Sequence, residues 1–306
     1  MKDGILVVNK PEGLSSAGVV GRLKRILGVK KIGHTGTLDP FATGVLLIAV
    51  QKATRISRFF LDGSKTYHAR ITLGAETDTY DCTGKVTAQV DPSLLAEINF
   101  DTIQQVVSGF FGAQEQVAPA YSALKHKGQP LYKLARQGKM IQKPPRPVEI
   151  YKIRAEKLEQ TSGGLPVFDL DVACSGGTYI RSLAYDIGRR LGCGAHLSGL
   201  CRTRSSHFRI EDAIDLPCLE TMERSDINSR IVSMSDCLYF LPVIEADDEM
   251  AGKIKFGQKL SFDQVRSESG DSAPYIRVVD VNGTLLAVVQ PETSGRSYKY
   301  CCVFSS

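Results

Sequence analysis

Gly33-His34-Thr35-Gly36-Thr37-Leu38-Asp39-Pro40-Phe41-Ala42-Thr43-Gly44-Val45-Leu46 is the stretch on which the reading of this chain turns. Its glycines and proline enforce a tight loop whose backbone comes close to something else. One carboxylate, Asp39, sits at the centre, and His34 precedes it by five residues. A carboxylate held in such a loop can be a nucleophile, a general base or a metal ligand. Asp-Pro is equally a common turn element, and the residues alone leave these readings open. No second carboxylate stands nearby at ligand spacing, so a metal site has little support. Thr77-Asp78-Thr79-Tyr80-Asp81 reads as a turn, and Gly36 and Gly44 lack the context of a phosphate- or dinucleotide-binding loop.

Outward from this loop, strand and helix signals interleave. Ile5 to Val8 is a buried-strand run that stops at the turn Lys10-Pro11-Glu12-Gly13. Ser15 or Ser16 is placed to cap a helix carrying Val19, Val20, Leu23, Ile26 and Leu27 at helical spacing, and Gly28 ends it. Gly44 to Val50 is strand-like. Lys65 to Leu73 alternates, with Tyr67, Ala69, Ile71 and Leu73 on one face. Ile103, Val106, Val107 and Phe110 suit a helix. Glu149 to Leu158 and Val167 to Cys174 suit strands, Tyr179 to Leu191 a helix, and Ala195 to Phe208 a strand and loop. The expected class is α+β, a mixed-sheet core with flanking helices and loops.

Pro242 and the acids Glu245, Asp247, Asp248 and Glu249 break the pattern around Leu241 to Met250. Short apolar segments follow at Lys259 to Phe262, Tyr275 to Val281, Leu285 to Val289 and Tyr298 to Phe304, with Asn282-Gly283 as a hairpin turn. These predict a small all-β module of about 60 residues. The division is then residues 1–241 and 245–306, in keeping with about 100–200 residues per domain for a chain of 306.

The net charge is only +5, but it is concentrated. Residues 122–157 hold ten basic side chains, among them Lys125, Lys127, Lys133 and Arg136, against two acids, Glu149 and Glu156. The remainder of the chain is mildly acidic. The run 21–31 and the group Arg202, Arg204 and Arg209 add further positive charge. Such clusters on a nearly balanced protein point to a polyanion partner. Gly128-Gln129-Pro130 and Lys143-Pro144-Pro145-Arg146-Pro147 make 122–157 a long loop or small subdomain, inserted for function.

Eight cysteines show neither a C-x-x-C spacing nor a zinc-finger pattern. No secretory signal precedes Ile5, and the apolar run Val45 to Val50 is far short of the roughly 20 residues of a membrane span. The expectation is a cytoplasmic protein with reduced thiols, no metal and no membrane.

The Gly33–Leu46 loop resembles the signature of the TruB family of tRNA pseudouridine synthases, and the likeness continues in order along the chain. Asn9-Lys10-Pro11-Glu12-Gly13-Leu14-Ser15-Ser16 resembles the family's Lys-Pro motif, with Asn where Asp is usual, and Lys65-Thr66-Tyr67 its Lys-x-Tyr strand. Ala120-Tyr121-Ser122-Ala123-Leu124-Lys125, Leu131-Tyr132 with Ala135-Arg136-Gln137-Gly138, Gly177-Thr178-Tyr179-Ile180-Arg181-Ser182-Leu183 and Leu191-Gly192-Cys193-Gly194-Ala195-His196-Leu197 are also similar to family segments. Residues 3 to 210 are covered. The C-terminal module resembles, more loosely, the family's appended PUA-like RNA-binding domain.

The resemblance implies the pseudouridine synthase core and the isomerisation of uridine 55 in the T-loop of tRNA, with no cofactor because no redox step occurs. It implies Asp39 as the catalytic aspartate, Arg181 as its partner, and Tyr67 as the residue that stacks on the flipped base. It implies His34 as the residue entering the RNA, and Tyr179 and Leu200 as lining of the uracil pocket. Lys10 and the basic side chains Lys125, Lys127, Lys133 and Arg136 become substrate contacts, with 122–157 clamping the T-stem-loop. A monomer without an obligate protein partner is expected. Two alternatives stand beside it. One is the catalytic subunit of an RNA-guided pseudouridylation complex, disfavoured because those chains carry an N-terminal extension. The other is a non-enzymatic tRNA-binding or tRNA-folding protein, disfavoured by intact Asp39, Tyr67 and Arg181.

Overall fold

The computed structural model of the chain describes residues 1–161, 164–261, 273–292 and 297–304. Among these, one mixed sheet carries the core. Its main path runs Ile214–Asp215, Gly4–Lys10, Thr43–Val50, Ala195–Ser205, Lys65–Leu73, Pro166–Cys174, Arg146–Gln160 and Gly112–Gln116. Gly4–Lys10 pairs antiparallel with Thr43–Val50 along its whole length. Thr43–Val50 meets Ala195–Ser205 in parallel over only two registers, Thr43 with Cys201 and Gly44 with Arg202. The sheet therefore parts just where the Asp39 loop ends. Gly44 makes this possible: its φ is 100°, and a Cβ there would lie 2.3 Å from the Arg202 carbonyl oxygen.

Thr43–Val50 is buried on both faces, which is why it reads as an unbroken apolar run. Leu46, Ile48 and Val50 pack with Val19, Leu23 and Leu27 of the helix Ser16–Leu27. Val45, Leu47 and Ala49 face the other way and pack with Val279, Leu285, Val288, Cys302 and Phe304 of the C-terminal module. One apolar cluster thus spans both halves of the expected domain division. A third cluster sets the helices Phe100–Ser108 and Ile180–Leu191 against Ala69, Ile71, Phe168, Leu170 and Val172. The local signals hold where they were strongest. Ser15 caps its helix by accepting from the Gly18 amide at 3.0 Å, and Gly28 ends it at φ 62°.

Two expectations are corrected. The C-terminal module is not all-β: its five-stranded sheet is joined by the helix Asp248–Lys255. Of the acidic run that looked like a break, Asp247, Asp248 and Glu249 are this helix's start, and Glu245 ends the strand Val243–Glu245. Asp247 accepts from the Met250 amide at 2.7 Å, while Asp248 and Glu249 complement the N-terminal dipole and Lys253 and Lys255 the C-terminal one. Of the expected strand from Lys259 to Phe262, Leu260–Ser261 forms, Lys259 precedes it, and Phe262 lies outside the described residues.

The basic stretch is likewise not one insertion. Residues 146–157 belong to the strand Arg146–Gln160 of the main sheet, paired on both sides. The part outside that sheet ends with Pro144-Pro145. It consists of a small hairpin, Lys125–His126 with Gln129–Pro130, followed by the helix Leu131–Ala135. Lys127 and Gly128, at φ 49° and 82°, form the hairpin turn.

Candidate active site

Asp39 lies in a loop braced from three sides. The hydroxyl of Ser16 accepts from the Leu38 amide at 2.8 Å and donates to the Leu38 carbonyl at 2.9 Å. The Pro40 carbonyl receives the Gly13 amide at 2.8 Å and the Lys10 ammonium at 3.1 Å. Arg202 donates to the carbonyls of Val45, Thr37 and Gly36 at 2.7, 3.4 and 3.2 Å, tying both ends of the loop together. Asp39 to Ala42 closes as a turn, the Ala42 amide donating to the Asp39 carbonyl at 3.1 Å. The turn reading of Asp-Pro and a chemical role for the carboxylate are therefore compatible: the turn aims the side chain.

The carboxylate meets Arg181 side-on. Nε lies 2.9 Å from Oδ2, off the N–H axis, and Nη2 donates to Oδ1 at 3.2 Å. Nη1 sits 3.3 Å from Oδ2 of Asp81. The carbonyls of Thr79 and Tyr121 take the remaining donors at 3.0 and 2.8 Å. Arg181 and Asp81 have side chains 5% and 4% exposed, against 33% for Asp39. Burial pushes the Asp39 carboxyl above its ordinary range; Arg181 and, more weakly, Lys10 pull it down, while Asp81 adds to the rise. Thr79, the Thr83 amide and the Thr83 hydroxyl bond to Asp81 at 2.8, 2.9 and 2.6 Å, so it is a fixed counter-ion. Asp81 does lie in a turn, as its sequence suggests. Its contact with Arg181, 100 residues later in the chain, has no local signature.

A cavity of about 480 Å³ opens beside this pair. Asp39, Tyr67, Tyr179, Arg181 and Leu200, five of the residues expected at the site, line it together. Lys65, Ser122, Arg146 and Arg202 also reach it. Tyr67 is buried, and burial raises its phenol above the usual value, with the Arg202 cation opposing. Tyr179 is held by the Gln116 side chain, which accepts from its amide at 2.8 Å and donates to its carbonyl at 3.0 Å. The Arg146 guanidinium lies 4.8 Å over the Tyr179 ring.

Other expected site residues are placed differently. Lys10 is fully buried and donates to the carbonyls of Pro11, Leu14 and Pro40. It braces the loop and offers no exposed surface, and desolvation lowers its pKa to about 8. His34 ends the strand Ile32–His34, outside the cavity lining; burial and then Arg202 lower its pKa. Lys125, Lys127, Lys133 and Arg136 are exposed on the hairpin and helix of residues 125–136. Arg202, grouped by sequence with surface arginines, is 1% exposed, and among the described residues no carboxylate pairs with it. The sequence shows Asp81 only as part of a turn and gives no signal for Gln116, because neither lies in a motif whose spacing bears on the site.

The chain is similar to known proteins over most of its length. The family described as TruB family pseudouridylate synthase (N terminal domain) matches residues 24–180, and tRNA pseudouridylate synthase B C-terminal domain matches 181–238. A tRNA pseudouridine synthase B from Syntrophotalea carbinolica is 41% identical over 255 residues, 83% of this chain and 81% of its own. One from Thermotoga petrophila is 40% identical over 293 residues, covering 95% and 91%. Among solved structures, that of a Cbf5-Nop10-Gar1 complex superposes with a TM-score of 0.73 at 26% identity, covering 99% of this chain and 84% of the other.

Proposed function

The chain belongs to the TruB family of pseudouridylate synthases, and on that premise we propose that it isomerises uridine 55 in the T-loop of tRNA to pseudouridine. The observation that carries the reading is the Asp39 carboxylate, paired with a buried arginine at the mouth of a cavity large enough for a nucleoside. A glycosidic bond inside a stacked loop is out of reach, so the nucleotide swings into the cavity at a cost of a few kcal/mol. Stacking on Tyr67 returns about 1–3 kcal/mol. Leu200 and Tyr179 bound the base, and His34 fills the space it leaves in the RNA.

Asp39 acts in its ionised form, as nucleophile or base, and Arg181 holds that form in place. The N1–C1′ bond breaks, the uracil turns within the cavity, C5 bonds to C1′, the C5 proton passes to solvent, and N1 takes up a proton, so the composition is unchanged. The chemistry is internal to one nucleotide and calls on no cofactor. The exposed cations of residues 125–136 grip the phosphates of the T-arm, giving position and a salt-dependent affinity. The protein acts in the cytoplasm, as a monomer with no obligate partner. The test is tritium release from tRNA labelled at uridine C5, with wild type against Asp39→Asn, on transcript free of any guide RNA. Release by wild type and none by the variant is expected. Activity that requires a guide RNA would favour the RNA-guided reading, and full activity in Asp39→Asn would remove the carboxylate from the mechanism.

A further inference from the structure

Ser122 is 3% exposed and lines the cavity, yet among the described residues its hydroxyl has no hydrogen-bond partner. A buried hydroxyl left unpaired costs about 1–3 kcal/mol, and such groups persist where something else uses them. Its backbone is fixed on both sides. The Tyr121 carbonyl before it takes Arg181 Nη2 at 2.8 Å, the same nitrogen that donates to Asp39 Oδ1 at 3.2 Å. The Ser122 carbonyl takes the Tyr132 amide at 3.0 Å. One guanidinium therefore ties the peptide carrying Ser122 to the carboxylate that does the chemistry. The polar side chains lining the cavity are mostly committed already. Lys65 is bonded to the carbonyls of Phe60, Leu61 and Gly63, Arg202 to three carbonyls, and Arg181 to its two acids and two carbonyls. Ser122 is a neutral donor left without work.

We propose that the Ser122 hydroxyl donates to a carbonyl oxygen of the flipped uracil and orients the base during the isomerisation. This rests on the reading of the site as a uridine isomerase. Uracil suits a single neutral donor. Turning the detached ring by half a turn about its N3–C6 axis exchanges N1 with C5, and at the same time exchanges the C2 carbonyl with the C4 carbonyl. An oxygen stands at nearly the same place before and after, so one fixed hydroxyl serves the base in both orientations. A charged donor there would bind the base more tightly at every stage and hinder its turning; a hydroxyl does not.

The experiment is single-turnover tritium release with wild type, Ser122→Ala and Ser122→Cys, on tRNA carrying uridine, 2-thiouridine or 4-thiouridine at the target position. Sulfur is a poor acceptor, so thiolation probes the bond from the substrate side. Ser122→Ala is expected to react about tenfold slower than wild type on uridine, the worth of one lost hydrogen bond. Ser122→Cys, nearly isosteric with a weak donor, should fall with it while melting at the wild-type temperature. At least one thio substitution should slow wild type severalfold and slow Ser122→Ala by much less. Ser122→Ala at the wild-type rate, or thio penalties equal in wild type and variant at both positions, would overturn the assignment. Loss of tritium release by wild type itself would instead count against the isomerase reading.

Discussion

Arg181 and Asp81 meet at 3.3 Å behind the cavity, with their side chains 5% and 4% exposed, while the side-on edge of the same guanidinium faces Asp39. The arginine is thus anchored by one carboxylate that substrate does not reach and presented to another that lies at the opening. Anchoring matters because a buried cation with a single partner is free to follow it. With two, it stays put when Asp39 changes charge or makes a bond.

Replacing Asp81 by Asn should slow the reaction by about ten- to a hundredfold. It should also lower stability by roughly 2 kcal/mol, less than the usual cost of stripping a buried ion because Asp39 remains. Urea unfolding and single-turnover tritium release measure the two effects. An unchanged rate would show that Arg181 needs no second carboxylate.

Asp39 should set the acid side of the pH–rate profile, since only its ionised form acts. Its carboxyl is raised by burial, so activity is lost with falling pH sooner than an ordinary aspartate would lose it. Asp81 contributes to that rise. Asp81→Asn should therefore move the acid limb to lower pH, even as it lowers the plateau. A limb that stays fixed or moves upward would assign it to another group.

Asp39→Asn should abolish tritium release, by a factor on the order of 10⁴, without costing stability. The raised carboxyl means that the folded protein favours the neutral side chain, and a neutral amide of the same shape meets that preference. Thermal melting at pH 7 should place the variant level with wild type or above it. A clear fall would show that the Arg181 pair outweighs the burial cost.

Lys10 carries a folded pKa of about 8 against an ordinary value of 10.5. Below pH 8 both folded and unfolded chains hold the proton, and the folded one bears the full desolvation cost. Between pH 8 and 10.5 the unfolded chain holds more protons, so this group's contribution rises with pH. Lys10→Met has no such term. Its stability relative to wild type should fall by about 2–3 kcal/mol across that window, measured by urea unfolding at each pH. A constant difference would mean that Lys10 keeps its ordinary pKa.

Changing Lys125, Lys127 and Lys133 to Ala together should weaken tRNA binding. The slope of log affinity against log salt should flatten by about two to three, near one phosphate contact per lysine. Filter binding across a salt series reads it directly. An unaltered slope would place the RNA elsewhere.

The sequence by itself determined the pieces whose physics is local. Ser15 and Gly28 bracket a helix because a side-chain oxygen and a left-handed residue satisfy groups within four residues of themselves. Lys65–Leu73 shows its buried face because a strand alternates. The resemblance to the TruB family, carried by motifs in order along the chain, implied Asp39, Tyr67, Tyr179, Arg181 and Leu200, which the fold gathers around one cavity. Local reading failed where a partner lies far away in the chain. The acids at 245–249 looked like a break, although Asp247 was available as a helix cap. Arg202 looked like a surface charge, but its three carbonyl partners lie about 160 residues earlier. Only the tertiary structure could make Lys10 a brace, Asp81 an anchor and Ser122 an unpaired donor. Burial and distance decide which polar group keeps its partner, and neither is written in the spacing of residues.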